Sequence, residues 1–166
     1  MLPNRAWYFN GCKCGEKTDN PVNYAGDIRS LHSFGFDAVK IDDCGDQRNL
    51  TLYAELMKKS GGNYTIENCH WGICTESEQS SCPSADWCPF NFYRSSVDIN
   101  GYAESWFSNL QSTIRFLDHD APLSVPHCWA FPDMLEVGQV AEPAPGAFYT
   151  WNRAHFGAWC IISSPL

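Results

Sequence analysis

Five times along this chain a short apolar or β-branched stretch is closed by a polar residue, and the intervals are nearly regular. Asn10 follows Trp7-Tyr8-Phe9, Asp42 follows the run Phe36-Asp37-Ala38-Val39, and Glu67 follows Tyr64-Thr65-Ile66. Asp98 then follows Ser95-Ser96-Val97, and Asp133 lies beyond Val125-Pro126-His127-Cys128-Trp129. The gaps are 32, 25, 31 and 35 residues. Eight strand-helix units in about 250 residues average roughly 31 residues each, so these intervals suit consecutive units of a barrel.

The segments between them read as helices. Ile28, Leu31 and Phe34 recur near the helical period and stop at Gly35, while Leu52, Tyr53, Leu56 and Met57 form a stripe ended by Gly61-Gly62. Trp106, Leu110, Ile114 and Leu117 mark a third amphipathic helix. A fourth occupies the apolar stretch Tyr149 to Ile162, opening near Thr150 or Asn152 and packing Phe156, Trp159 and Cys160 inward. Strands alternating with helices predict a parallel sheet. The expected fold is therefore α/β, a partial (β/α)8 TIM barrel of about five strands and four helices. Closure takes eight strands, so residues 1–166 are expected to be the central part of a single catalytic barrel, with the first strands and the last strand missing and no complete second domain.

Lys40-Ile41-Asp42-Asp43-Cys44 puts a lysine and two carboxylates where a buried strand meets solvent. A lone Asp-Asp pair is more often a solvated turn, but barrel enzymes carry their catalytic groups at the C-terminal ends of strands, and here polar strand ends repeat. Apolar residues make up 44% and aromatics 14%, enough for a packed core. A net charge of −8 argues against nucleic acid or an anionic membrane as partner. The seven tryptophans and seven tyrosines suit a carbohydrate site, although most belong to a core.

Nine cysteines, with the sequons Asn49-Leu50-Thr51 and Asn63-Tyr64-Thr65, predict a secreted or lysosomal/vacuolar protein, and no signal peptide opens the chain. Cys69, His70, Cys74, Cys82 and Cys88 crowd one stretch, yet they lack the paired Cys-x-x-Cys spacing of structural zinc. A disulfide-tied loop over the barrel mouth is the more economical reading, with no metal and no cofactor. The odd total leaves a thiol over, and Cys128 and Cys160, in apolar surroundings, are the candidates for inert buried residues.

Four ordered motifs now carry a resemblance. Lys40-Ile41-Asp42-Asp43-Cys44 resembles the Lys-Tyr-Asp-Asn-Cys strand end of the α-galactosidases, or melibiases, a family that includes the α-N-acetylgalactosaminidases. Arg94-Ser95-Ser96-Val97-Asp98-Ile99 resembles its Arg-x-x-x-Asp-Ile. The run from Trp129 to Leu135 resembles its Trp-Asn-Asp-Pro-Asp-Met-Leu, and the run from Ala158 to Leu166 its Leu-Trp-Ala-x-x-Ala-Ala-Pro-Leu.

The resemblance implies a retaining glycosidase cleaving terminal α-D-galactosyl residues, with Asp42 as nucleophile and Asp98 as acid/base. Retention needs two carboxylates about 5–5.5 Å apart, one attacking the anomeric carbon and one protonating the leaving oxygen. Lys40, on the same strand face as Asp42, would hold the nucleophile ionised, and Arg94 would serve the acid/base or a sugar hydroxyl. The resemblance also implies sugar contacts at Tyr8, Asp133 and Met134 and a disulfide between Cys14 and Cys44. A homodimer is the assembly considered for a completed barrel.

Two departures bear on specificity. His70 stands where the family has the glutamate of Cys-Glu-Trp-Gly, which helps read the sugar's second carbon, and Phe131 stands where an aspartate is common. The alternatives are therefore an α-N-acetylgalactosaminidase, a β-L-arabinopyranosidase, or a catalytically silent truncated sugar-binding protein; a disulfide-rich or metal-binding secreted module is a further class.

Overall fold

Asn20 and Pro21 start the first helix for reasons local to them. The Asn20 side chain accepts a hydrogen bond from the Val22 amide at 3.0 Å, and proline's fixed φ suits the first helical position. This helix, α1, runs Pro21–Phe34 and ends at Gly35, whose φ of 70° is left-handed. Asn49 likewise caps α2, Leu50–Lys59, by accepting from the Leu52 amide at 2.9 Å, and Lys58 and Lys59 face the negative end of its dipole.

A computed structural model describes residues 6–9 by their backbone, and 20–42, 47, 49–69, 83–118, 120–139 and 146–164. Among these residues the strands are β1 Ala6–Phe9, β2 Ala38–Asp42, β3 Thr65–Cys69, β4 Phe92–Arg94 and β5 Trp129–Phe131, with helices α3 Ala103–Ser112 and α4 Phe148–Ile161. The strands form one sheet in the order β1-β2-β3-β4-β5, and every pairing is parallel. Each step moves one strand along in the same direction, which is the winding of a barrel wall; a doubly wound sheet would reverse. The chain is a partial (β/α)8 barrel.

Alternation along the strands sorts the side chains. Val39 and Ile41 of β2, Ile66 of β3, Tyr93 of β4 and Ala130 of β5 join Tyr24, Ile28 and Leu31 of α1 and Tyr53 and Met57 of α2 in one buried cluster. Lys40, Asp42, Glu67, Cys69, Phe92, Arg94 and Phe131 therefore lie on the opposite, inner face of the wall. The Phe92 and Phe131 rings meet there, 5.4 Å between centroids. A disulfide from Cys88 to Cys128 ties the approach to β4 to the approach to β5 across 40 residues, constraining the unfolded chain by about 4 kcal/mol.

Several expectations need correction. In α1 the buried stripe is Tyr24, Ile28 and Leu31, and Phe34, roughly 80° off that stripe, is 56% exposed. The third helix tightens after Ser112 into a 3-10 turn, Ile114–Phe116. Three residues per turn then bring Thr113 and Phe116 inward, and Ile114 and Leu117 are exposed. Strand β3 continues past Glu67 to Cys69, so Glu67 is mid-strand, while β4 ends at Arg94 and leaves Asp98 in the loop beyond. Strand β5 begins only at Trp129, because Val125 to Cys128 forms a small antiparallel bridge around a turn in which His127 has φ 73°. Cys128 is not a spare thiol but a disulfide partner. Cys160 is exposed rather than buried, and among the described residues the buried free thiol is Cys69.

The fourth helix turns a different face inward: Asn152, His155 and Trp159 are buried, and Phe156 is half exposed. The Asn152 amide group explains part of this, accepting from the Gly138 amide at 2.6 Å and donating to the Phe148 carbonyl at 2.8 Å. His155 stacks on Trp106 of α3, 5.3 Å between centroids, and meets Trp159 edge-on at 4.2 Å. Neither of its ring nitrogens has a hydrogen-bond partner among the described residues.

Burial lowers the His155 pKa to about 4. A histidine depressed in the fold stabilises it above the ordinary value near 6.5, and that contribution fades as pH falls toward 4; the shift is worth about 3 kcal/mol. Denaturant unfolding at pH 7 and at pH 4 should therefore show His155→Phe losing about 3 kcal/mol less on acidification than the parent. An identical pH dependence in both proteins would show that this imidazole is not the acid-labile group.

Candidate active site

Parallel pairing brings the C-terminal ends of the strands to one edge, and the chain has placed its charge there. Register aligns Tyr8 with Lys40, Lys40 with Glu67, Glu67 with Phe92 and Phe92 with Trp129 across the wall. One step further along, Asp42 aligns with Cys69. Lys40 and Glu67 form an ion pair at 3.4 Å on the half-buried inner face. Burial opposes the Lys40 charge, but Glu67, with help from Cys69 and Asp133, outweighs it and the pKa rises. Glu67 also moves up, because burial outweighs the attraction of the Lys40 ammonium. Beside them burial pushes the Cys69 thiol up to about 12, despite Arg94 and Lys40 nearby, so it packs as a small apolar group and supplies no nucleophile at neutral pH.

Arg94 closes β4 and holds two carboxylates. Its Nη2 is 2.7 Å from Oδ1 of Asp98, and its Nη1 is 3.4 Å from both carboxylate oxygens of Asp133. The two acids differ in their surroundings. The Asp98 side chain is 82% exposed, while the Asp133 side chain is 5% exposed. Asp133 accepts from the Ile99 amide at 2.7 Å and the Met134 amide at 2.8 Å, and its carbonyl accepts from the Trp159 indole at 2.8 Å. These bonds hold a non-glycine residue at φ 121°, a conformation that costs on the order of 1–3 kcal/mol elsewhere. Asp133 thus pins the loop that presents Asp98, and Met134 follows it, half exposed, on the rim.

Of the residues expected from the sequence, Lys40, Asp42, Arg94, Asp98, Asp133 and Met134 stand on this edge or in the loops rising from it, and Tyr8 is aligned beside Lys40. His70, Cys14, Cys44 and Asp43 lie outside the described residues. Glu67 is the addition. The sequence marked it as the polar residue closing Tyr64-Thr65-Ile66 but gave it no role; extending β3 by two residues would have put it on the same face of the sheet as Lys40. Among the described residues no group of three or more metal-ligating side chains is gathered. No helix there is long and apolar enough to cross a membrane.

No family model matches the chain. It is 29% identical over 159 residues to an alpha-galactosidase of Oryza sativa subsp. japonica, covering 92% of this chain and 34% of that protein. It is 26% identical over 146 residues to an alpha-galactosidase of Cyamopsis tetragonoloba, covering 84% and 32%. The chain thus spans about a third of the length of the curated relatives it matches. Its fold is similar to that of alpha-galactosidase I from Mortierella vinacea, with a TM-score of 0.65, 17% identity and coverage of 97% of this chain and 44% of that one. An alpha-galactosidase from Saccharomyces cerevisiae superposes with a TM-score of 0.64 at 15% identity, covering 97% and 39%.

Proposed function

We propose that this chain, which is similar to alpha-galactosidases in sequence and in fold, is the central part of a single barrel that hydrolyses terminal α-D-galactosides with retention. The observation that carries this reading is the strand edge that gathers Lys40, Asp42, Glu67, Arg94 and Asp133, with Lys40 paired to Glu67 and Arg94 paired to both Asp133 and Asp98. Asp42, at the tip of β2, attacks the anomeric carbon, and the exposed Asp98 protonates the leaving oxygen and later activates water. Lys40 and Glu67 neutralise each other beside the nucleophile and keep the inner face from accumulating unpaired charge. Arg94 holds Asp98, and Asp133 holds Arg94 and the Ile99 amide. The resemblance of the motifs assigns Tyr8, His70 and Met134 to the sugar pocket, with His70 reading the second carbon, and Cys14 and Cys44 to a disulfide. The cysteine content and sequons support export to the cell exterior or to a lysosome or vacuole.

A second reading rests on Phe131. It is buried against Phe92 on the inner face and offers no carboxylate to a sugar hydroxyl, which favours a ring with fewer hydroxyls, as in β-L-arabinopyranosides. Both readings are tested by offering p-nitrophenyl α-D-galactopyranoside and the β-L-arabinopyranoside to the chain, and to a form extended from its own locus, while following the anomer released by NMR. Retained α-galactose supports the first reading, and preference for the arabinoside the second. Folded protein inert on both, or release of β-galactose first, would overturn the retaining glycosidase.

A further inference from the structure

Two rows of residues cross the inner face of the wall. In the lower row register places Lys40, Glu67, Phe92 and Trp129 side by side on β2 to β5. In the upper row Asp42 is aligned with Cys69, and Arg94 with Phe131. Glu67 is therefore one row deeper than the reacting carboxylate, between Lys40 on one side and an uncharged ring on the other. Neighbouring strands lie about 4.8 Å apart, and the Nζ of Lys40 stands 3.4 Å from Oε1 of Glu67. The Glu67 side chain is 12% exposed and that of Lys40 is 21% exposed, so the acid is the more deeply set of the two. Its Oε1 is buried and receives no hydrogen bond among the described residues. A carboxylate taken out of water without donors is costly to bury, and here the charge it meets is the lysine's.

We propose that Glu67 is a positioning residue, which holds the Lys40 side chain cationic and fixed at the floor of the barrel mouth so that a donor is in place when the sugar arrives. The inference rests on the glycosidase reading, in which Lys40 touches the substrate and Glu67 acts only through it. A lysine carries its charge on a flexible stem and gives up its proton readily when buried. Burial works against the Lys40 charge, and so does Arg94 of β4, whereas Glu67 favours it most, ahead of Cys69 and Asp133. Neither of the last two replaces Glu67. The Cys69 thiol, one row up on β3, keeps its proton at neutral pH, and Asp133, beyond β5, is paired with Arg94. On its own strand Lys40 is followed two residues later by Asp42, at the tip. Glu67 is thus the counter-charge that the register builds against Lys40, and a donor fixed beforehand needs no reorganisation at the moment of reaction.

The test is a pair of pH profiles for the parent, Glu67→Gln and Glu67→Asp, in whichever form turns over p-nitrophenyl α-D-galactopyranoside, the chain or the one extended from its own locus. Glutamine keeps the size of the side chain and loses its charge; aspartate keeps the charge and loses a methylene. One profile is kcat/KM above pH 7, whose alkaline limb has a position independent of the folded fraction. The other is acetylation of Lys40 by acetic anhydride without substrate, read by peptide mass spectrometry. Once residue 67 is neutral, Lys40 loses its proton at lower pH. Glu67→Gln is therefore expected to bring both the alkaline limb and the onset of Lys40 acetylation down by about one pH unit or more, the scale of an opposite charge at this distance. Glu67→Asp should move less than half as far. Unmoved profiles in Glu67→Gln, or an equal shift in Glu67→Asp, would overturn the proposal, because the side chain would then matter for its fit and not for its charge. Folded parent that hydrolyses neither the galactoside nor the arabinoside would instead remove the glycosidase reading, and the proposal with it.

Discussion

Asp42→Ala is expected to lower kcat on p-nitrophenyl α-D-galactopyranoside by on the order of 10⁴-fold or more, the scale seen when a catalytic nucleophile is deleted. Stability should change little, because Asp42 closes β2 at the solvent edge and is only partly buried. The argument is geometric. In the parallel sheet Asp42 sits two residues beyond Lys40 on the same face, and its register partner is Cys69, whose thiol burial keeps protonated. The carboxylate is therefore the nucleophile this edge can offer. A second readout separates a nucleophile from a residue that merely shapes the pocket. In Asp42→Ala the face of the sugar that the carboxylate attacked is open, so added azide should attack there, expel p-nitrophenolate and give β-galactosyl azide with restored turnover. Activity above about a tenth of the parent's, with no azide product, would sink the assignment.

Much of this was legible in the sequence, for physical reasons that differ from residue to residue. The strand ends could be read because a buried parallel strand is a short apolar run that must surrender to polar residues where it meets solvent, and Lys40 to Asp42 shows that transition cleanly. Strand extents were less legible. β3 carries Glu67 and Asn68 inside it, and the ion pair with Lys40 that allows a carboxylate there is made by a different strand. Helix α4 is aromatic on more than one side, so periodicity alone could not choose Phe156 or His155 for the core; the Trp106 ring on another helix decides it. The same holds for the Cys88–Cys128 bridge, since connectivity depends on which loops the sheet brings together. Arg94 and Asp98 are four residues apart and could be read as one motif. The third member, Asp133, is 39 residues from Arg94, and its task of holding the Ile99 amide exists only in the folded wall.

That third member sets the second large effect. Arg94→Met is expected to destabilise the protein by about 4 kcal/mol, because it strands the Asp133 carboxylate, 5% exposed, without its cation. A surface pair would contribute about 0–1 kcal/mol, so the size of the loss distinguishes a buried clamp from a rim contact. The partner experiment is Asp133→Asn, which keeps the side-chain shape and an oxygen for the Ile99 amide while removing the charge. In that background the further cost of Arg94→Met should fall to about half, since no uncompensated carboxylate is left behind. Denaturant midpoints of the parent, the two single variants and the double variant close the cycle. Strict additivity, or a loss under about 1 kcal/mol for Arg94→Met alone, would mean that Asp133 does not depend on Arg94. The loop presenting Asp98 would then be held without help from an Arg94–Asp133 pair, and the arginine's role would lie with Asp98.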